Sequence, residues 1–203
     1  MARQKTFTPD EALDKAMRLF WKRGYHATSI QDLVEATGVN RASLYDTFGD
    51  KEQLFLAAVE RYLAEVNRVR LAKLRANPLP KDALTGYFED LIAFATGEGR
   101  RLGCLLTNSA IEFGEQREGL GRRLYGLFDE AEETLVELIE RAQARGEIPQ
   151  ERDSRAAARF LLTMINGMRV MSRVKPDDAL WMRDAASGIQ LLFDGRPPAS
   201  KTV

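Results

Sequence analysis

The chain has one cysteine and one histidine in 203 residues. A single thiol excludes an intrachain disulfide framework, so the fold must hold by burial, and a reducing compartment is expected. With one Cys and one His a metal site is hard to build within one chain, and sharing ligands across a symmetric dimer is the one alternative; neither a metal nor any other cofactor is expected. Long apolar runs are missing too. No stretch approaches the ~20 residues that a membrane span needs. The opening "MARQKTFTPDEA" has no apolar core, so no secretory signal is expected. These absences predict a soluble cytoplasmic protein without membrane contact. There is also no charge excess: 30 Lys and Arg balance 30 Asp and Glu. Bulk charge does not announce nucleic acid, and any DNA contact must come from local placement. Neither a Gly-rich phosphate loop after a strand nor a nucleophile elbow occurs, and no catalytic residue is assigned.

What is present is helix punctuation. "TPDE" at Thr8–Glu11 predicts a capping box, with Pro9 in the first helical position. Ala12, Ala16, Leu19 and Phe20 then recur at helical spacing, and Gly24 stops the helix. A second box is expected over Thr28–Gln31, opening a helix that buries Ile30, Leu33 and Val34 and ends at Gly38. Asn40 caps a third helix, with Val39 and Leu44 as a hydrophobic staple and with Leu44 and Phe48 facing inward. Asp50 caps a fourth that runs to about Ala76. Past "NPLP", five longer helical regions follow, over about 81–96, 102–114, 118–145, 153–173 and 176–194. No β-alternation stands out. The chain is expected to be all-α, with about nine helices.

Residues 28–48 have the layout of a helix-turn-helix, with Gly38 supplying the tight turn. The stretch "RGYHATSIQDLVEATGVNRASLYDTFGDKEQLF" resembles the N-terminal domain of TetR/AcrR-type transcriptional regulators. The shared features are the Gly-aromatic end of the first helix, Thr-Ser before the second, the "TGV" turn, "LY" in the third, and Phe followed by "GDK". The match runs over about residues 8–66 and fixes many residues at fixed spacing. It implies a helix-turn-helix domain over 1–50 (motif about 29–48) and a ligand-binding and dimerisation domain over 77–194, with the fourth helix as a connecting helix over 51–76; the tail "GRPPASKTV" over 195–203 reads as flexible from its own composition.

Helix N-termini carry free N–H groups and a positive dipole end, which suits phosphates. Thr28, Ser29 and Lys51 are therefore candidate DNA-backbone anchors. On the third helix, Arg41, Ala42, Ser43, Tyr45 and Thr47 fall on or beside the outward face, where Arg41 can pair with guanine or phosphate. The family commonly has His in place of Thr47, whose hydroxyl can donate one hydrogen bond but carries no charge. Asp46 is the one acid on this helix and can accept from cytosine N4. Arg3 and Lys5 are candidates for a basic arm on the DNA backbone, and His26 in the preceding loop is either a phosphate contact or merely exposed.

The resemblance also implies a homodimer on a palindromic double-stranded operator, because two reading helices must reach major grooves about 34 Å apart. The expected seam uses Phe160, Met164, Gly167 and Met171, joined by Trp181, Ile189 and Leu192; intrachain core is the competing assignment for each. A small-molecule effector is implied for the middle helices. Cys104, Asn108 and Ile111 fall on one helical face, and Phe88, Phe94, Phe128 and Met168 could line the same cavity or simply pack. Cys104, in a first helical turn after Arg100 and Arg101, could be an electrophile or oxidant sensor or an inert buried thiol. The function expected is an operator-binding repressor released by an effector. The rivals are a helical adaptor and a small helical enzyme, whose candidate carboxylates Glu112, Glu115, Glu132, Glu133 and Glu137 read as solvated faces paired with arginine.

Overall fold

A computed structural model describes residues 7–114 and 119–194. Arg3, Lys5, Glu115 and the tail from 195 lie outside the described residues. The helices are α1 (Pro9–Arg23), α2 (Ile30–Thr37), α3 (Arg41–Phe48), α4 (Lys51–Tyr62), α5 (Arg68–Ala76), α6 (Pro80–Thr96), α7 (Leu105–Phe113), α8 (Leu120–Ala144), α9 (Ser154–Val174), α10 (Ala179–Ser187) and α11 (Gln190–Asp194). A π-helical turn, Leu63–Asn67, lies between α4 and α5 in the chain. With α4, the turn and α5 counted as one helical segment, and α10 with α11 as one interrupted segment, the described residues form nine helices and no strand.

The chain divides into two compact units, Met1–Arg68 with Cys104–Tyr125, and Val69–Gly103 with Gly126–Val203. In the first, α1 supplies Ala12, Ala16, Met17, Phe20 and Trp21 to a core completed by Leu33, Leu44, Leu54, Phe55, Ala58 and Tyr62. The short α2 and α3 have too little apolar surface to stand alone, and burying a Phe20 or Phe55 side chain is worth about 1.5–3 kcal/mol. α7 also belongs to this unit, packing on α1 and α4. The second unit closes around Leu84, Phe88 and Leu91 of α6, Leu135, Leu138 and Ile139 of α8, and Leu161, Ile165 and Met168 of α9. There the Arg141 guanidinium donates to the carbonyls of Leu74, Arg75 and Asn77 at 2.7, 2.9 and 3.1 Å. It thereby satisfies the last turn of α5, whose carbonyls have no helical partners.

Several local expectations change. Thr8 occupies the N-cap position of α1 but makes no side-chain cap bond. The box on α2 is set one residue later than expected: Ser29 is the cap, and Asp32, not Gln31, closes it. Asp32 wins because an aspartate at the third helical position reaches the Ser29 N–H at 2.8 Å while its own N–H donates to Ser29 Oγ at 3.1 Å. Asn40 and Asp50 cap α3 and α4 as expected. Phe48 is only half-buried. The last helical region is interrupted at Gly188–Ile189, and Asp178 caps its start.

Candidate nucleic-acid interface

α2, the Gly38 turn and α3 form the helix-turn-helix. Gly38 takes φ +74°, a left-handed conformation that ends α2 at little cost only because Gly has no Cβ. Beyond it, Asn40 Oδ1 accepts from the Ser43 N–H at 2.9 Å and starts α3. Leu33, Val39 and Leu44 are buried beneath, which orients the opposite face of α3 outward.

That face carries exposed Arg41, Ala42 and Asp46 with half-buried Ser43, Tyr45 and Thr47. The Arg41 guanidinium lies 5.2 Å from the Tyr45 ring centroid, one helical turn away. Such a stack holds both side chains extended and leaves the guanidinium edge free to donate. The Thr47 hydroxyl is enclosed, with no hydrogen-bond partner among the described residues.

The anticipated backbone anchors are placed unequally. Thr28 is fully buried and donates from Oγ1 to the Gly24 carbonyl at 2.6 Å, so its proton points into the fold. Ser29 is exposed at the start of α2, inside the box with Asp32. Hydrogen bonds from the Ser29 hydroxyl and backbone, then from Arg23 at 2.6 Å, hold the Asp32 carboxyl down at about 2. A carboxylate therefore already sits on this helix N-terminus. Lys51 is half-buried, its ammonium 4.2 Å from the Tyr25 ring centroid. Burial pushes the Lys51 pKa down, and the Glu112 and Asp32 carboxylates oppose that. His26 is exposed, its ring against Tyr25 and Phe113.

The residues considered for an effector fall in different units. Cys104 is the N-cap residue of α7, 2% exposed, and its Sγ accepts from the Tyr62 hydroxyl at 3.3 Å. Asn108 is half-buried, and Ile111 is 69% exposed, so the three share a helix without sharing an environment. In the second unit, Phe88 and Met168 are core, Phe128 is half-buried, and Phe94 lies under the Arg70 guanidinium at 4.6 Å. A cavity of about 350 Å³ between α5 and α6 is lined instead by Arg70, Lys73, Asn77, Asp82, Tyr87 and Asp90. Behind it, buried Arg169 donates to the Tyr87 hydroxyl at 2.9 Å.

On α9, Phe160 and Val174 are exposed by 47% and 66%, Gly167 is exposed, and Met164 and Met171 are half-buried. Leu180 on α10 is 68% exposed and Trp181 half-buried. Ile189 and Leu192, by contrast, are buried in the intrachain core. Glu132 and Glu133 pair with Arg155, and Glu137 with Arg75, as solvated faces do. Glu112 does not fit that pattern. It accepts from the backbone of Tyr25, a partner 87 residues away that no local sequence signal marks.

Comparison with known proteins places this geometry. Residues 12–58 match the model of bacterial regulatory proteins of the tetR family, and residues 80–186 match the tetracyclin repressor-like C-terminal domain. The chain belongs to the TetR family of transcriptional regulators. It is 37% identical to the HTH-type transcriptional repressor ComR of Escherichia coli over 172 residues, covering 84% of this chain and 82% of that protein. It is 32% identical to the HTH-type transcriptional regulator YezE of Bacillus subtilis, over 87% of this chain and 92% of that one. A cysteine-substituted form of the TetR family regulator CifR, complexed with 26 bp double-strand operator DNA, superposes with a TM-score of 0.80. Its sequence identity is 27%, with 92% of this chain and 98% of CifR covered. Among the described residues no helix is long and apolar enough to cross a membrane, and no cluster of three or more potential metal ligands occurs.

Proposed function

We propose that this TetR family regulator is a homodimeric repressor that binds a palindromic operator and releases it when a small-molecule effector binds its C-terminal unit. The observation that carries the reading is the outward face of α3. Arg41 and Tyr45 are stacked and presented there by the Gly38 turn and the Asn40 cap. Arg41 suits guanine O6 and N7 or a phosphate, and Tyr45 and Ala42 suit a thymine methyl or the backbone. Lys51 is the backbone anchor, since both Ser29 donors are turned to Asp32; phosphate contacts set the register while base contacts specify.

The exposed apolar side chains of Phe160 and Val174 on α9 and of Leu180 on α10 support the homodimer, since a lone chain leaves them in water. Release is a population shift: the effector favours a dimer state whose reading helices are wrongly spaced, which takes only about 1–3 kcal/mol of coupling. The protein acts in the cytoplasm as a binding protein and catalyses no reaction.

The deciding experiment is fluorescence anisotropy on the duplex upstream of the protein's own gene, with wild type, Tyr45→Ala and Lys51→Ala. Each substitution is expected to weaken operator binding roughly tenfold, the worth of about one good contact, with circular dichroism unchanged. Wild-type affinity in both variants, or equal wild-type affinity for random DNA, overturns the reading.

A further inference from the structure

Glu112 is the penultimate residue of α7, and its carboxylate is spent on the loop that leads into α2. Oε2 accepts from the Tyr25 N–H at 2.8 Å and Oε1 from the His26 N–H at 3.4 Å. Two successive N–H groups turned to one side make an anion-holding concavity in the backbone. Its approach to the loop is possible because position 24 is glycine. A Cβ there would lie 2.5 Å from Oε1, and φ is +87°. The neighbouring Phe113 ring packs on Tyr25, His26 and Phe55 at centroid distances of 5.2, 5.1 and 5.8 Å. Tyr25 in turn carries the Lys51 ammonium on its ring. Two side chains at the end of α7 thus hold the loop from which α2 starts and the aromatic seat of Lys51.

We propose that Glu112 is a positioning residue of the DNA-reading surface: it fixes the Gly24–His26 loop, and through it the entry to α2 and the seat of Lys51. This rests on the DNA-binding reading above. A residue of the α7 segment, which touches neither α2 nor α3 in any of these bonds, then sets how well the reading helix is aimed. Random DNA, held mainly through phosphates, tolerates a loose aim, whereas base contacts do not. Losing the carboxylate should therefore reduce the ratio of operator to random-DNA affinity more than it reduces random-DNA affinity.

The test uses full-length protein, wild type against Glu112→Ala and Glu112→Gln, with an operator duplex selected from a random pool and a scrambled duplex of equal length. Because His26 is the only histidine, ¹⁵N-histidine labelling gives one backbone amide resonance that reports on the latch directly. The expected result for Glu112→Ala is an upfield shift of that resonance and a loss of about tenfold in the operator-to-random ratio, the worth of about one base contact. Glu112→Gln keeps one carbonyl acceptor and should lie between wild type and the alanine variant in both readouts; it also carries the test if the alanine variant is poorly folded. An unmoved His26 resonance, an unchanged ratio, or tighter operator binding by the neutral variants overturns the proposal. Absence of any sequence preference in the wild type would instead remove the DNA reading itself, and this inference with it.

Discussion

Thr47 gives the sharpest separation between packing and recognition on α3. Its hydroxyl is enclosed and has no hydrogen-bond partner among the described residues. A buried hydroxyl without a partner costs about 1–3 kcal/mol, because the unfolded chain hydrates it and the folded chain does not. Thr47→Val replaces that oxygen by a methyl of nearly the same shape, and the two residues have nearly equal helix propensity. The substitution should therefore stabilise the protein by about 1–2 kcal/mol, the lower part of that range, since the residue as a whole is only half-buried. For a chain of this length that raises the thermal midpoint by roughly 2–8 °C. If the hydroxyl also stays inward in the complex, operator affinity should change less than about twofold, well under the value of one contact. Differential scanning calorimetry at fixed protein concentration and anisotropy on the operator measure the two quantities separately. A tenfold loss of operator affinity with no gain in midpoint would refute the reasoning. It would mean that the hydroxyl turns outward and is satisfied by DNA.

The remaining predictions concern single contacts. Asp32, held at about 2 in the folded protein against an ordinary 3.8, stabilises the fold when ionised; that contribution is complete above the unfolded value and is lost as pH falls through the folded one. The difference in urea midpoint between wild type and Asp32→Asn should thus be constant from pH 7 to about 5 and shrink from about 4 downward; a gap independent of pH would refute the assignment. Arg141→Met removes three charge-assisted bonds at the end of α5, of which those to Leu74 and Asn77 are part-buried and that to Arg75 is exposed. The expected loss is about 2–3 kcal/mol by urea unfolding, and a change below about 0.5 kcal/mol would show that water replaces the guanidinium. Cys104, 2% exposed beneath the Tyr62 hydroxyl, should react with iodoacetamide at least roughly 100-fold slower in the native protein than in urea, as expected for an enclosed thiol. Similar rates in both would favour a sensor role, and Cys104→Ser would then have to lose the response to an oxidant.

The sequence made some of this legible because the signals were local. The Asn40 and Asp50 caps and the Gly38 stop each depend on residues within a turn of one another, and each appears where its spacing puts it; Val39 and Leu44 are both buried. Thr28 and Ser29 show how far such reasoning reaches. Both are good caps, and adjacent positions cannot be ranked without knowing which hydroxyl the fold encloses. The core takes Thr28, whose methyl can be buried while its hydroxyl bonds to Gly24, and leaves Ser29 to cap with Asp32. The α9 stripe has the same limit: helical spacing groups Phe160 with Met171, but only packing separates them from Ile189 and Leu192, which the chain's own core absorbs. Glu112 lies beyond any periodicity. Its partners are backbone N–H groups 86 and 87 residues away, and backbone donors leave no mark in a side-chain pattern. The one trace it left in the sequence is Gly24, which reads as a helix stop and is equally the space the carboxylate occupies. A glycine ending a helix beside an aromatic pair can thus record an approach from elsewhere in the chain as well as a turn. Gly24→Ala should disturb the same loop that Glu112→Ala releases, since both act on one contact.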